Sequence, residues 1–137
     1  SIKMKKFWSK HWKSSKQPRK QRKYVYNAPL HIRQKFISAH LSKELIKKYN
    51  KRSMPVKKGD KVKIVRGQFK GKIGAINKVN LKKGVAFVEG AEQDKRDGKK
   101  APYPIHPSNM IILSLELGDK KRERMLKGAI KSKETKI

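Results

Sequence analysis

The chain has 137 residues, about one domain with room for tails, and carries 39 Lys or Arg against 10 Asp or Glu, a formal net charge of +29. Hydrophobic residues make up 35% and charged residues 36%, so a core can form without involving the whole length. The self-repulsion calls for a polyanionic partner, phosphate backbones above all, while the absence of cysteine excludes a disulfide scaffold and thiolate metal sites and agrees with a reducing compartment.

Residues 1–26 hold ten Lys or Arg and no acid; the first carboxylate is Glu44. Phe7, Trp8 and Trp12 punctuate this run at a spacing that could place them on one helical face, where aromatics stack on bases or fill a groove. The simpler reading is a basic arm, disordered alone and extended once bound to RNA. No apolar signal-peptide core follows these basic residues, and no run approaches the roughly 18 apolar residues of a membrane span. Asn27 can cap a short helix with Pro29 in its first turn, and Ile32, Phe36 and Ile37 supply apolar contacts. A second helix is predicted from Ser42, with Leu45, Ile46 and Tyr49 as its apolar stripe and Glu44 placed to pair with Lys48.

From Gly59 the pattern turns to strands. Val62 and Ile64 alternate with Lys61 and Lys63, a second apolar run spans Ile73 to Val79 with Gly74 allowing a bulge, and Val85 to Val88 is a short third strand. Lys82-Lys83-Gly84 makes the second turn; Arg66 to Lys72 makes the first, a cationic tip holding Gly67, Gly71 and Phe69. Three strands with short glycine turns favour a small barrel. Residues 91–100 read as an exposed loop, and Pro102, Pro104 and Pro107 keep the next segment extended at an edge. Met110 to Leu117 is the clearest strand, with Ile111, Leu113, Leu115 and Leu117 alternating against Ile112, Ser114 and Glu116. Val62, Ile64, Ile73, Phe87, Leu113 and Leu115 are assigned to the core. Asp60 closes a turn through backbone amides, and Asp119 caps a third helix with Met125, Leu126 and Ile130 as sparse apolar contacts before a frayed tail from Lys131.

Catalysis finds little support. His11, His31, His40 and His106 are scattered without metal-ligand spacing, and the glycine cluster lacks the Lys-Ser/Thr ending of a phosphate loop. His106, between prolines, reads as a packing or hydrogen-bonding residue or else as an RNA contact. In the loop, Gly67 and Gly71 let the backbone approach a phosphate while Arg66, Lys70 and Lys72 supply charge. Phe69 either stacks on an unpaired base or packs beneath the loop. No cofactor and no metal are expected.

The stretch Gly59 to Gly90 opens as Gly-Asp-x-Val-x-Ile, continues with Gly-x-x-Lys-Gly-x-x-Gly and closes with Val-Glu-Gly, carried by Gly59, Asp60, Val62, Ile64, Gly67, Lys70, Gly71, Gly74, Val88, Glu89 and Gly90. It resembles a KOW motif. The flanks, namely Asn27 to Arg33, Leu41 to Leu45, Lys48 to Asn50, Arg52 to Val56 and Ile105 to Asn109, resemble the archaeal and eukaryotic branch of one ribosomal family, the twenty-fourth protein of the large subunit, numbered twenty-six in eukaryotes. The resemblance runs from about Asn27 to Lys133; the first 24 residues match it less well, and Lys82-Lys83-Gly84 departs from it.

The fold expected is mainly β with flanking helices: a basic RNA-binding arm over 1–26, two bracing helices over 27–53, a small SH3-like (KOW) β-barrel over 54–117, and a basic C-terminal helix and tail over 118–137. The resemblance implies a structural constituent of the large ribosomal subunit, binding ribosomal RNA through basic arms and barrel and supporting assembly near the tunnel exit. The RNA-binding candidates are Arg19, Lys20, Arg22, Lys23, Arg33, Arg52, Lys57, Arg66, Gly67, Gln68, Phe69, Lys70, Gly71, Lys72, His106 and Ser108. Implied partners are large-subunit ribosomal RNA, neighbouring large-subunit proteins and nascent-chain targeting factors, with neither membrane insertion nor a homo-oligomer. The implied location is the cytosolic ribosome, with nucleolar or nuclear assembly in a eukaryote. The alternative is a KOW-module transcription-elongation or regulatory factor, which would bring a further folded domain for which this chain has no room.

Overall fold

The computed structural model describes residues 8, 9, 11, 12 and 15–135, so the expectation resting on Phe7 and the end of the tail lie outside the described residues. Its centre is a six-stranded sheet in the order β2-β1-β8-β3-β4-β5. The strands are β1 (Ser38–Leu41), β2 (Ser53–Pro55), β3 (Lys61–Ile64), β4 (Ile73–Asn80), β5 (Val85–Val88) and β8 (Met110–Ser114), with β6 (Glu92–Asp94) and β7 (Lys100–Pro102) forming a separate ribbon. β3 runs antiparallel to both β4 and β8, and β1 joins β8 in parallel. Register shifts at Lys61/Val62 and Ile76/Lys78 bend the sheet, the effect expected of bulges, and Ala86 bridges Ile105 beyond β5. The result is a small barrel with helices on its flanks.

Gly74 shows how tightly β4 curls. A Cβ there would stand 2.6 Å from the Glu89 carbonyl oxygen, a backbone atom that cannot give way. The glycine is required by close approach of two strands.

The interior comes from one face of each strand. Met54, Val56, Val62, Ile64, Ile76, Val88, Met110 and Ile112 are buried together, joined by Ile37, Ala39 and Leu41. Three core assignments need correction. Ile73 is 53% exposed because it pairs with Lys63 on the outer face. Phe87 is only half-buried. On β8 the buried set is Met110 and Ile112, not Leu113, which is half-buried on the other side. Both faces of that strand are apolar, so alternation alone did not fix its phase; pairing of Val62 with Ile112 and Ile64 with Met110 does. Leu115 lies half-buried against the core, past the strand's end, and Leu117 is exposed.

Among the described residues four helices flank the barrel: α1 (Pro18–Asn27), α2 (Leu30–Phe36), α3 (Lys43–Tyr49) and α4 (Lys120–Thr135). α1 replaces part of the expected extended arm, with Pro18 in its first turn. Pro29, rather than Asn27, stands at the start of α2. α3 begins as expected after Ser42, whose hydroxyl accepts from the Leu45 amide, and ends at Asn50 in the left-handed region. Its Leu45, Ile46 and Tyr49 pack on the core, while Lys48 lies over the Tyr49 ring, 5.2 Å from its centroid. Residues 91–100, expected as a loop, build the β6–β7 ribbon, exposed along β6, and Pro102 sits at its edge. The helix begun after Asp119 continues to Thr135, past the point where fraying was expected.

One buried ion pair fastens α4 to the barrel. Asp60 is fully buried and Arg122 is 5% exposed. The carboxylate accepts from both terminal nitrogens of Arg122, at 2.6 Å and 2.5 Å, and from the amides of Lys57 and Glu116. Arg122 also donates to the carbonyls of Pro55 and Glu116. Asp60 therefore does close a turn through the Lys57 amide, and beyond that it receives a guanidinium from 62 residues downstream. Four residues on from Arg122, one helical turn along the same face, Leu126 enters the core.

At the start of α4 the Asp119 carboxylate accepts from the Lys121 amide at 3.0 Å and pairs with Lys57 at 3.4 Å. The Lys121 amide is the main cause holding this carboxyl below its ordinary 3.8; desolvation opposes it, and Lys57 and the Arg122 amide add to it. A carboxyl lowered on folding contributes stability that is complete above 3.8 and is lost as pH falls through the folded value.

Arg122→Ala is expected to lower stability by about 3–5 kcal/mol, since it strands a buried carboxylate; an unchanged urea midpoint would show that the pair is replaceable by water. Asp119→Asn keeps a capping side chain but removes its charge. Its melting temperature should fall a few degrees below the parent's at neutral pH and converge with it as the solution is acidified below 3.8. A gap that persists to about pH 2 would assign the effect to something other than the ionised carboxylate.

Candidate nucleic-acid interface

The loop between β3 and β4 is a compact turn. The Gly71 amide donates to the Ile64 carbonyl at 2.7 Å, Lys70 to Gly67 and Lys72 to Phe69. Gly67 and Gly71 both have φ of 92°, a region that side chains rarely adopt, and a Cβ at either would meet nothing within 4 Å. These glycines thus serve the turn and leave its outer side open. Arg66, Gln68 and Lys70 are exposed around it.

Two loop residues point elsewhere. Of the alternatives for Phe69, the structure takes packing: the ring is half-buried against the core and meets Tyr103 edge-on, with centroids 5.1 Å apart. Lys72 folds back over it, its ammonium 5.0 Å from the Phe69 centroid and 2.8 Å from the Gly90 carbonyl. At the root of the loop the Val65 amide donates to the Asn109 carbonyl, which ties it to the turn Pro107–Asn109. His106 caps that turn: Nδ1 accepts from the Ser108 amide at 3.2 Å and lies 2.8 Å from the Ser108 hydroxyl. His106 and Ser108 are both exposed, so this arrangement leaves Nε2 to the outside.

A second cationic region lies on α1. Arg19, Lys20, Arg22 and Lys23 are all exposed there. Arg33 is different: it donates Nε to the Ala28 carbonyl at 3.0 Å, Nη1 to that of Lys82 at 2.5 Å, and Nη2 to that of Tyr26. Its folded role is a clamp joining α1 and α2 to the β4–β5 turn. Arg52 is exposed beside β2, and Lys57 is engaged with Asp119, so neither joins the other two groups.

Trp8 and Trp12 do not present a free helical face. Trp12 stacks on Tyr24 at 4.9 Å, Trp8 lies 5.2 Å from the same ring, and Tyr24 in turn meets Phe36. The Trp8 indole nitrogen is buried with no acceptor among the described residues. Sequence reasoning missed the Asp60–Arg122 pair, the Arg33 clamp, and Tyr26 with Lys82 beside Arg22 in one cleft. Asp60 and Lys82 each carried a signal as part of a glycine turn, and Arg22 and Arg33 as basic residues, but none of these pointed to the partner found.

Among the described residues no group of three or more His, Cys, Asp or Glu could hold a metal ion, and no helix is long and apolar enough to cross a membrane. The fold and its surface define a small basic β-barrel protein flanked by cationic helices. The model of one protein family, the ribosomal proteins numbered twenty-six in eukaryotes and twenty-four in archaea, matches residues 15–129. The chain belongs to that family and is a structural protein of the ribosome, in its large subunit. Of the two readings opened by the KOW motif, membership selects the ribosomal one.

Phe69→Ala is expected to cost about 1–2 kcal/mol in urea denaturation through lost packing on Tyr103, with Phe69→Leu recovering most of it. Unchanged stability with weakened RNA binding would return Phe69 to the role of a base-stacking residue.

Proposed function

We propose that this protein binds large-subunit ribosomal RNA by neutralising its phosphates from two sides, through the β3–β4 loop and through α1, and thereby supports subunit assembly near the tunnel exit. The observation that carries this is the open outer side of the loop: Arg66, Gln68 and Lys70 surround two glycines with nothing above them. Backbone and cations there can reach a phosphate together, the usual division in which phosphate contacts position the protein. Arg19, Lys20, Arg22 and Lys23 add a second contact on a helix with no acidic residue. Arg52, Lys57 and Lys72 contribute field rather than direct contact, and His106 offers Nε2 near the loop's root.

The same reading makes neighbouring large-subunit proteins and nascent-chain targeting factors its partners, on the cytosolic ribosome, with nucleolar assembly where the cell has a nucleus. These placements rest on family membership. The broad charge favours contact with a folded RNA over reading of a short sequence.

Replacing Arg66 and Lys70 together by Gln should reduce the slope of log affinity against log salt by about 1.4–1.8, two phosphate contacts' worth, on a large-subunit RNA fragment. The double variant should also wash off large subunits in a sucrose gradient at about 0.5 M salt, where the parent stays bound. An unchanged slope and unchanged retention would remove the loop from the interface.

A further inference from the structure

The β4–β5 turn and the end of α1 meet in a cleft of which the phosphate-binding reading uses only Arg22. Its volume is about 430 Å³, within the range of small-ligand sites, and its lining includes Arg22, Val25, Tyr26, Arg33 and Lys82. Tyr26 is 66% exposed, more than any other large hydrophobic side chain among the described residues. Most of the other rings have ring partners: Trp8, Trp12, Tyr24 and Phe36 cluster together, and Phe69 meets Tyr103. Tyr26 stands outside both groups.

We propose that Tyr26, flanked by Arg22, Arg33 and Lys82, is a stacking site for one unpaired RNA base. This rests on the RNA-binding reading and names a ligand class within it. An aromatic face beside cations takes any base through its π-face, while the cations hold the adjoining phosphates. A base inside a duplex has no free face to offer, so the ligand is an unpaired nucleotide in a loop, bulge or end.

Two features suit the cleft to this. Arg33 bonds the carbonyls of Tyr26, Ala28 and Lys82, so both walls are held in place before any ligand arrives. The C-terminal end of a helix ordinarily repels an anion; here the guanidinium sits on those terminal carbonyls and offsets that field. Of the five N–H donors of an arginine, three are engaged in these bonds, which leaves two for a base edge or a phosphate.

The test uses the full chain and two labelled probes of equal length, a single-stranded RNA of about ten nucleotides and an RNA duplex, by fluorescence anisotropy. Tyr26→Ala is expected to weaken single-strand binding about tenfold and duplex binding less than twofold, with Tyr26→Trp restoring the single-strand affinity. Lys82→Gln, on the exposed turn, should likewise weaken the single-stranded probe more than the duplex. Equal losses on both probes, no loss on the single strand, or failure of Trp to restore it would each overturn the stacking site while leaving the RNA reading intact. If the parent chain binds neither probe, the RNA reading itself fails.

Discussion

The geometry of this protein depends on one carboxylate. Asp60 is fully buried in a chain with only 10 acids, and its two oxygens receive four donors drawn from the turn before β3, the segment after β8, and α4. Burying a charge is costly unless it is paired and hydrogen-bonded, and here both conditions are met by a two-pronged guanidinium. An apolar pair of similar volume could serve stability as well. It could not fix direction in the same way, because Arg122 also reaches the carbonyls of Pro55 and Glu116. With Arg122 held there, the rotation of α4 is set, and Leu126 must face the core.

This arrangement divides the charges into two populations. The partnered ones, chiefly Asp60, Arg122, Arg33 and Lys72 together with the Lys57–Asp119 pair, bond largely to backbone or to one another and define shape. The rest crowd the outside with few acids to oppose them. A small barrel with such a surface has a modest core to set against its own repulsion. A polyanion bound only by the folded form would shift that balance by mass action, linking binding to folding stability.

Strands β3, β4 and β5 were legible because Val62 and Ile64 alternate with lysines and the turns carry glycine. The caps Ser42 and Asp119 were legible for the same local reason: each short polar side chain stands just ahead of a helical pattern. β1 was not, since Ser-Ala-His-Leu carries no strand pattern and owes its extended form to β2 and β8. The phase of β8 needed its neighbour, because apolar residues occupy both faces. The glycines announced the cationic loop, but nothing in Lys-Lys-Arg-Glu-Arg separates Arg122 from Arg124; only Asp60 does. Arg33 was equally silent, because its partners are carbonyls, which every residue possesses. Tyr26 carries no signal in the sequence, being one aromatic among several in a basic stretch; its isolation follows from Tyr24 taking both tryptophans.

The separation of Asp60 from Arg122 along the chain also has a meaning in time. A ribosome making this protein releases the aspartate 62 residues before the arginine that will neutralise it. β1 likewise waits for β8 to emerge before its parallel edge is paired. Until then the barrel is an open sheet with a lone carboxylate at its seam, while the cationic loop and α1 have already left the synthesising machine. The cationic surface is therefore displayed before the fold that carries it can shut, and closure is reserved for the last part of synthesis.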